Sequence, residues 1–233
     1  MNLTQCLLHP SRLERLRRET HLPPTMDLGY VVHAALAALF GKIEAPFKVG
    51  LKPRDDSLIE ILFYTKESTD NLREKMTGAQ PWLVEGVHSL VQKAMPTTWV
   101  PGQHVRFRVT ACPQQNVTRH PGDTGPKRMD VAPPGCTREE RIGHYKKWIS
   151  ERLSSTRGLN ILAVEVDRSE PVTTYRNTHR LETGSHYRQV TFPSADFEGI
   201  VEVVNPDEFI NIIAAGVGKQ RGLGFGHISL FRP

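Results

Sequence analysis

The stretch "NPDEFINIIAAGVGKQRGLGFGHISLFRP" spans residues 205–233, and the order of its parts decides the fold. Residues 205–218 read as a helix with Asn205 as its N-cap, and "FGHISLFR" (225–232) reads as a final strand. Between them, Gly216, Gly218, Gly222, Gly224 and Gly226 interleave with Lys219 and Arg221, a composition suited to holding phosphate. A dinucleotide fingerprint needs GxGxxG after a strand and before a helix. Here the order is reversed and Arg221 stands where the third glycine belongs, so that reading fails. The Walker pattern GxxxxGK[ST] is missing. "RGLGFGHI" (221–228) half-matches the aromatic RNA-recognition signature, but Leu223, Gly226 and Ile228 replace key positions and leave Phe225 as the only stacking platform. What remains is a glycine-rich turn whose backbone N–H groups can approach phosphates, with two cations beside it.

Working back toward the N-terminus, the pattern alternates strands and helices. "NLTQCLLHP" (2–10) is a strand ended by proline, and "SRLERLRRETHLPP" is a basic loop or short helix. "MDLGYVVHAALAALFG" (26–41) is the clearest helix of the first half, with Asp27 able to cap it and Gly41 at its C-terminal end. "PFKVGL" and "SLIEILFYT" are strands, followed by a short helix near Asp70–Met76 and a strand between Gly86 and Ala94. "TTWVPGQ" (97–103) breaks any regular element and reads as a linker. "HVRFRVTAC" (104–112) alternates as a half-buried strand does, and residues 114–136 read as a long Pro- and Gly-rich loop. Thr137 and Glu140 form a capping box, after which Ile142, Tyr145, Ile149 and Leu153 recur at helical spacing. "LNILAVEV" is a strand, and "HYRQVTF" with "FEGIVEVV" is one long or broken strand. Each half thus carries the order β-α-β-β-α-β. The expectation is an α+β chain of tandem ferredoxin-like (RRM-like) domains with antiparallel sheets: 1–96, a linker at 97–103, and 104–233.

Composition bounds the function. The 233 residues are 38% hydrophobic and 24% charged, with a formal net charge of +5. From His104 to Arg157 there are eleven Lys and Arg against five Asp and Glu, a lean toward a polyanionic partner. Cys6, Cys112 and Cys136 are odd in number and lack CxxC spacing, which argues against a disulfide framework or a zinc finger. With no membrane-length apolar run, a cytoplasmic protein is expected.

Five segments, "GYVVHAAL" (29–36), "VRFRVTACP" (105–113), "GPKRMDV" (125–131), "FEGIVEVVNPDEF" (197–209) and "AAGVGKQRGLGFGHISL" (214–230), make the chain resemble the CRISPR-associated endoribonucleases of the CasE family. Those enzymes mature the guide RNA in type I-E systems, and compact relatives in type IV systems share the architecture. The resemblance implies two tandem ferredoxin-like domains and a Tyr-x-x-His pair, here Tyr30 and His33, on the first long helix. It also implies metal-free cleavage in which the imidazole moves a proton and the phenol positions the phosphate, with no cofactor. Family members can carry a lysine after the histidine; that position is Ala38 here, and Lys42 is the nearest cation, so Lys42 joins the expected catalytic set.

The expected RNA contacts are Arg106 and Arg108 on the 104–112 strand and Lys127 and Arg128 in the long loop. To these are added Arg176, Arg180 and Arg188 on a basic arm at 175–188, and Gly216, Gly218, Lys219, Arg221, Gly222 and Gly224 in the glycine segment. The expected partners are a CRISPR repeat stem-loop and other subunits of an effector complex, with the protein itself a monomer. The competing reading is an RNA-hairpin-binding subunit without catalysis, for which the Tyr30/His33 pair has no chemical purpose.

Overall fold

The computed structural model describes every residue except 23–26, 42–45, 53–54, 118–126, 156, 182–183 and 233, and only the backbone at 52, 55–56, 127, 175–181 and 184–188. Two compact units emerge. The first comprises Met1–Thr97 together with Thr173–Val190 and Arg221–Gly224; the second comprises Thr98–Val172, Thr191–Gln220 and Phe225–Pro233.

The first unit holds β1 (Asn2–Leu8), α1 (Pro10–Glu19), α2 (Leu28–Phe40), β2 (Phe47–Lys52), β3 (Asp55–Thr65), α3 (Thr69–Met76), α4 (Pro81–Val84) and β4 (Val87–Ala94). Its sheet runs β2-β3-β1-β4, antiparallel throughout. Period-two alternation puts Thr4, Cys6 and Leu8 on one face, opposite Phe63, Ile61 and Ile59 of β3. Phe47 and Val49 of β2 pair with Phe63 and Ile61 and extend that face. Val32, Leu36 and Leu39 of α2 join the same core. Thr4 sits wholly inside it and accepts from Gln92 Nε2 at 3.0 Å, so its burial leaves no orphaned hydroxyl. Burial pushes the Cys6 thiol up to about 12, which makes it an inert packing residue.

Residues 10–19, readable as loop or helix, form α1. Pro10 opens it, Leu13 and Leu16 bury, and Glu14 accepts from Arg17 and Arg18 on the outer face. Asp27 takes the N-cap position of α2 without a side-chain capping bond, and Gly41 (φ +77°) ends the helix by donating to the Ala37 carbonyl at 3.0 Å.

The second unit holds β5 (His104–Ala111), β6 (Gln114–Val117), β7 (Lys127–Asp130), α5 (Arg138–Ser154), α6 (Pro206–Ala215) and β10 (Ser229–Phe231). Two long strands, β8 (Leu159–Leu181) and β9 (Gly184–Val203), complete its sheet, ordered β10-β5-β9-β8, with the end of β8 and the start of β9 falling in the Thr173–Val190 stretch of the first unit. With β6 and β7 set aside as an insertion, both sheets share the order second-third-first-fourth, the ferredoxin-like arrangement in tandem. The Thr137/Glu140 capping box forms as expected, and Tyr145, Trp148, Ile149 and Leu153 of α5 are buried. Asn205 caps α6 by accepting from the amides of Asp207 and Glu208. Gly199 is needed where the strands run close, since a Cβ there would stand 2.3 Å from the Ala163 carbonyl oxygen.

Three expectations change. Part of the expected 114–136 loop is regular, because Gln114–Val117 pairs with Lys127–Asp130 as a two-stranded antiparallel ribbon. "LNILAVEV" is only the start of a strand that continues to Leu181. The last strand is limited to Ser229–Phe231, because Gly224 (φ +87°) and Gly226 (φ +81°) break the extended backbone ahead of it. Most of the expected linker packs into the second unit: Trp99 meets Phe209 edge-on at 4.9 Å, and Gly102 N–H donates to Val203 O at 2.8 Å.

Phe63 is completely buried at the centre of the first core. Phe63→Ala is expected to cost about 3–5 kcal/mol, read as a lowered denaturation midpoint for the first unit.

Candidate active site

The sequence of α2 sorts its residues by face. Val31, Val32, Ala35, Leu36, Leu39 and Phe40 are buried, whereas His33, Ala37 and Ala38 are exposed. Tyr30 stands between these classes, half-buried against the core. Three-residue spacing makes Tyr30 and His33 neighbours on the helix surface. His33 lies near-parallel to Phe47, with ring centroids 6.5 Å apart and planes inclined by 23°.

The glycine segment supplies the other wall. Arg221–Leu223 forms a single 3-10 turn that packs on α2 and β2 within the first unit. At Gly29 the fit leaves no space: a Cβ there would lie 2.1 Å from the Leu223 carbonyl oxygen. Gly224, in the left-handed region, nests against Phe47, Val49 and the Gly29 Cα. A Cβ at Gly222 would sit 3.5 Å from both Nδ1 and Cε1 of His33. The imidazole is thus bordered by Phe47 and by the turn, with its exposed side open to solvent. At the start of the helix the Asp27 Oδ2 is buried without a hydrogen-bond partner. Burial raises that carboxyl above its ordinary range, while the N–H groups of Gly29, Leu28 and Tyr30 pull the other way. The expected catalytic Lys42 lies outside the described residues.

The expected RNA contacts are distributed more widely. On β5, Glu198 of β9 accepts from both Arg106 and Arg108, the latter at 2.7 Å, and the two guanidinium groups hold its carboxyl below the usual range. Both arginines remain partly exposed, and Arg108 lies 5.4 Å over the Phe231 ring. Arg128 is exposed on β7. Its ribbon is fastened to α5 by Asp130, whose Oδ2 accepts from Arg141 at 2.7 Å and from the Tyr145 hydroxyl at 3.0 Å. Burial pushes that phenol up to about 12. Lys127 is a backbone position only, as are Arg176, Arg180 and Arg188, which occupy the paired strands β8 and β9.

Two expected phosphate glycines serve the second unit's fold. Gly216 terminates α6 by donating to Ile212 O at 2.8 Å, and a Cβ at Gly218 would stand 3.0 Å from Trp148. Lys219 is half-exposed. Phe225 is buried edge-on against Phe192 at 5.6 Å and offers no stacking surface. Sequence reasoning missed Phe47, Asp130 and Glu198. Phe47 and Glu198 become legible only when strand register is known, while an acid two residues after Arg128 is a local signal for a tethered ribbon.

Among the described residues no group of three or more His, Cys, Asp or Glu side chains is placed to hold a metal ion, and no helix is long and apolar enough to cross a membrane.

Two ferredoxin-like sheets in tandem, one bearing a histidine helix with a glycine turn laid upon it, define the structural class. The chain belongs to the CRISPR associated protein family, whose sequence profile matches residues 1–232. Among solved structures it is similar to the CRISPR endoribonuclease Cse3 bound to 19 nt RNA, at 21% identity over 99% of this chain and 100% of that one, with a TM-score of 0.66. Thermus thermophilus Cse3 bound to an RNA representing a pre-cleavage complex matches at 21% identity over 99% and 98%, with a TM-score of 0.62. The CRISPR-associated protein Cas6e from Escherichia coli str. K-12 matches at 16% identity over the full length of both chains, with a TM-score of 0.61. No curated protein sequence matches the chain.

Gly29→Ala is expected to push the Arg221–Leu223 turn off α2. Hydrogen exchange should then quicken at residues 221–224 while the strands of the first sheet keep their protection.

Proposed function

We propose that this protein is an endoribonuclease that cuts CRISPR precursor RNA at the base of the repeat hairpin and then stays on the mature guide RNA within an effector complex. The observation that carries the reading is an exposed imidazole, His33, framed by Phe47 and the glycine turn and one helical turn from Tyr30. Family membership supports it, as do folds shared with a CRISPR endoribonuclease bound to RNA and with a subunit of a CRISPR RNA-guided surveillance complex.

In the proposed reaction the 2′-oxygen beside the scissile bond gives up its proton and attacks phosphorus. The P–O2′ bond forms as the P–O5′ bond breaks, and the departing 5′-oxygen takes a proton. His33 serves one of these two transfers, as an imidazole can by accepting or donating a proton at a ring nitrogen. Tyr30 donates its hydroxyl hydrogen bond to a phosphate oxygen and holds the backbone in line. Both residues work without a metal ion, so cleavage is expected to continue in EDTA.

Hairpin affinity is assigned to the cations beyond the site: Arg176, Arg180 and Arg188 on the β8–β9 arm, Lys127 and Arg128 on the ribbon, and Lys219. The A-form major groove excludes a helix, so a basic two-stranded arm and backbone contacts suit a short RNA stem. Arg106 and Arg108 contribute once an RNA phosphate competes with Glu198 for them.

A 2′-deoxynucleotide placed 5′ of the scissile phosphate should abolish cutting while binding persists. All-RNA substrate should yield a 2′,3′-cyclic phosphate and a 5′-hydroxyl; a deoxy substrate cut at the normal rate rules out this nucleophile. His33→Ala should slow the saturating single-turnover rate about a hundredfold or more with little change in hairpin affinity. Unchanged cutting with lost affinity would instead make His33 a binding residue.

A further inference from the structure

A cavity of about 460 Å³ lies in the second unit, where one face of α5 meets the ribbon of β6 and β7. Positions 144, 147, 148, 151, 152 and 155 line it from the helix and its C-cap, and their three- and four-residue steps make them a single stripe. The ribbon contributes Gln115 and Val131. Trp148 is only 5% exposed, and its Nε1–H is buried with no hydrogen-bond partner. An indole nitrogen can only donate, and a dry donor left unmet is unfavourable. Around this ring the exposed His144, Lys147 and Arg152 add further donors, two of them permanently charged. Glu151 is the one carboxylate among the described lining residues. It approaches Lys147 at 3.9 Å with both side chains mostly in solvent, a pairing that holds little energy. The walls are fixed in advance, because Asp130 at the end of β7 accepts from Arg141 and Tyr145 of α5.

We propose that this cavity is a binding site for a phosphate-bearing ligand of about one nucleotide in size, held by Lys147 and Arg152. The surroundings are rich in donors and poor in acceptors, which selects an anion with several acceptor oxygens, as a phosphate has. The volume exceeds what a phosphate alone needs and falls in the range that encloses a small organic molecule. The half-buried Val131 and the Trp148 ring give a sugar or base an apolar surface to rest on, while the charged rim takes the phosphate. The stretch from His104 to Arg157, which includes the whole cavity, has eleven Lys and Arg against five Asp and Glu, so its wider field draws the same kind of ligand. The phosphate could be that of a free nucleotide or one in an RNA strand. The site shares no residue with the Tyr30/His33 region, and the proposal stands apart from the nuclease reading.

The test follows the indole N–H signal of Trp148 by NMR in the full-length, isotope-labelled protein, with Trp82 and Trp99 as internal references. Uridine monophosphate, a short single-stranded oligouridylate, uridine and an oligoglutamate are titrated separately. The Trp148 signal is expected to shift to saturation with uridine monophosphate, with the oligouridylate or with both, and to stay in place with uridine. Whichever phosphate ligand binds more tightly identifies the source, a free nucleotide or an RNA strand. Lys147→Ala and Arg152→Ala alter exposed side chains and should each weaken that binding about tenfold, the scale of one charge-assisted hydrogen bond. The proposal is overturned if neither phosphate ligand moves the Trp148 signal, or if uridine or oligoglutamate moves it at lower concentration than they do. Binding that keeps its full strength in the Lys147→Ala, Arg152→Ala double variant overturns it as well. No arm of the test measures cleavage, so its outcome is separate from that of the His33 experiments.

Discussion

The carbonyl oxygen of Leu223 occupies the space in which any residue but glycine at position 29 would carry its Cβ. That exclusion brings two backbones together without a side chain between them. The 3-10 turn can then lie on the helix closely enough for Gly222 to border His33, and Gly224 can reach Phe47 and Val49 with its left-handed backbone. Other features of the site follow from this approach. The helix keeps its apolar face for the first core and turns the imidazole outward. Phe47, buried by the sheet, becomes the second boundary of the same ring.

Much of the fold could be read from the chain. The helices at 28–40 and 138–154 have the periodicity and terminal residues that dictate helices, and the alternation in β1, β3 and β5 sets which face of each sheet is buried. The ribbon of β6 and β7 was hidden because the Pro- and Gly-rich composition of residues 114–136 resembles irregular loop, and the partners of Asp130 at its end, Arg141 and Tyr145, lie on a separate helix. The lengths of β8 and β9 were hidden for the opposite reason. Polar residues at 175–188 lack the alternation that burial imposes, yet β8 runs to Leu181 and β9 begins at Gly184.

The candidate site was legible in a different sense. Tyr30 and His33 stood out through resemblance, since a histidine in a run of alanines and leucines is no signal by itself. Geometry added what spacing cannot contain: the side chain beside His33 comes from β2, and the backbone over it comes from a segment nearly two hundred positions later in the chain. The charges behave likewise. Arg106 and Arg108 look like free cations in an alternating strand, but Glu198 sits opposite Arg108 in the antiparallel register and engages both. Neither guanidinium is therefore an unengaged positive charge on that face of the sheet.

The first unit is woven from three separate stretches of chain, and the last of them, Arg221–Gly224, emerges long after the first, Met1–Thr97. A nascent polypeptide that has left the ribosome only as far as Thr97 has its helix and its imidazole but lacks the turn that borders them. A chain interrupted before Arg221 therefore carries His33 without one of its two neighbours.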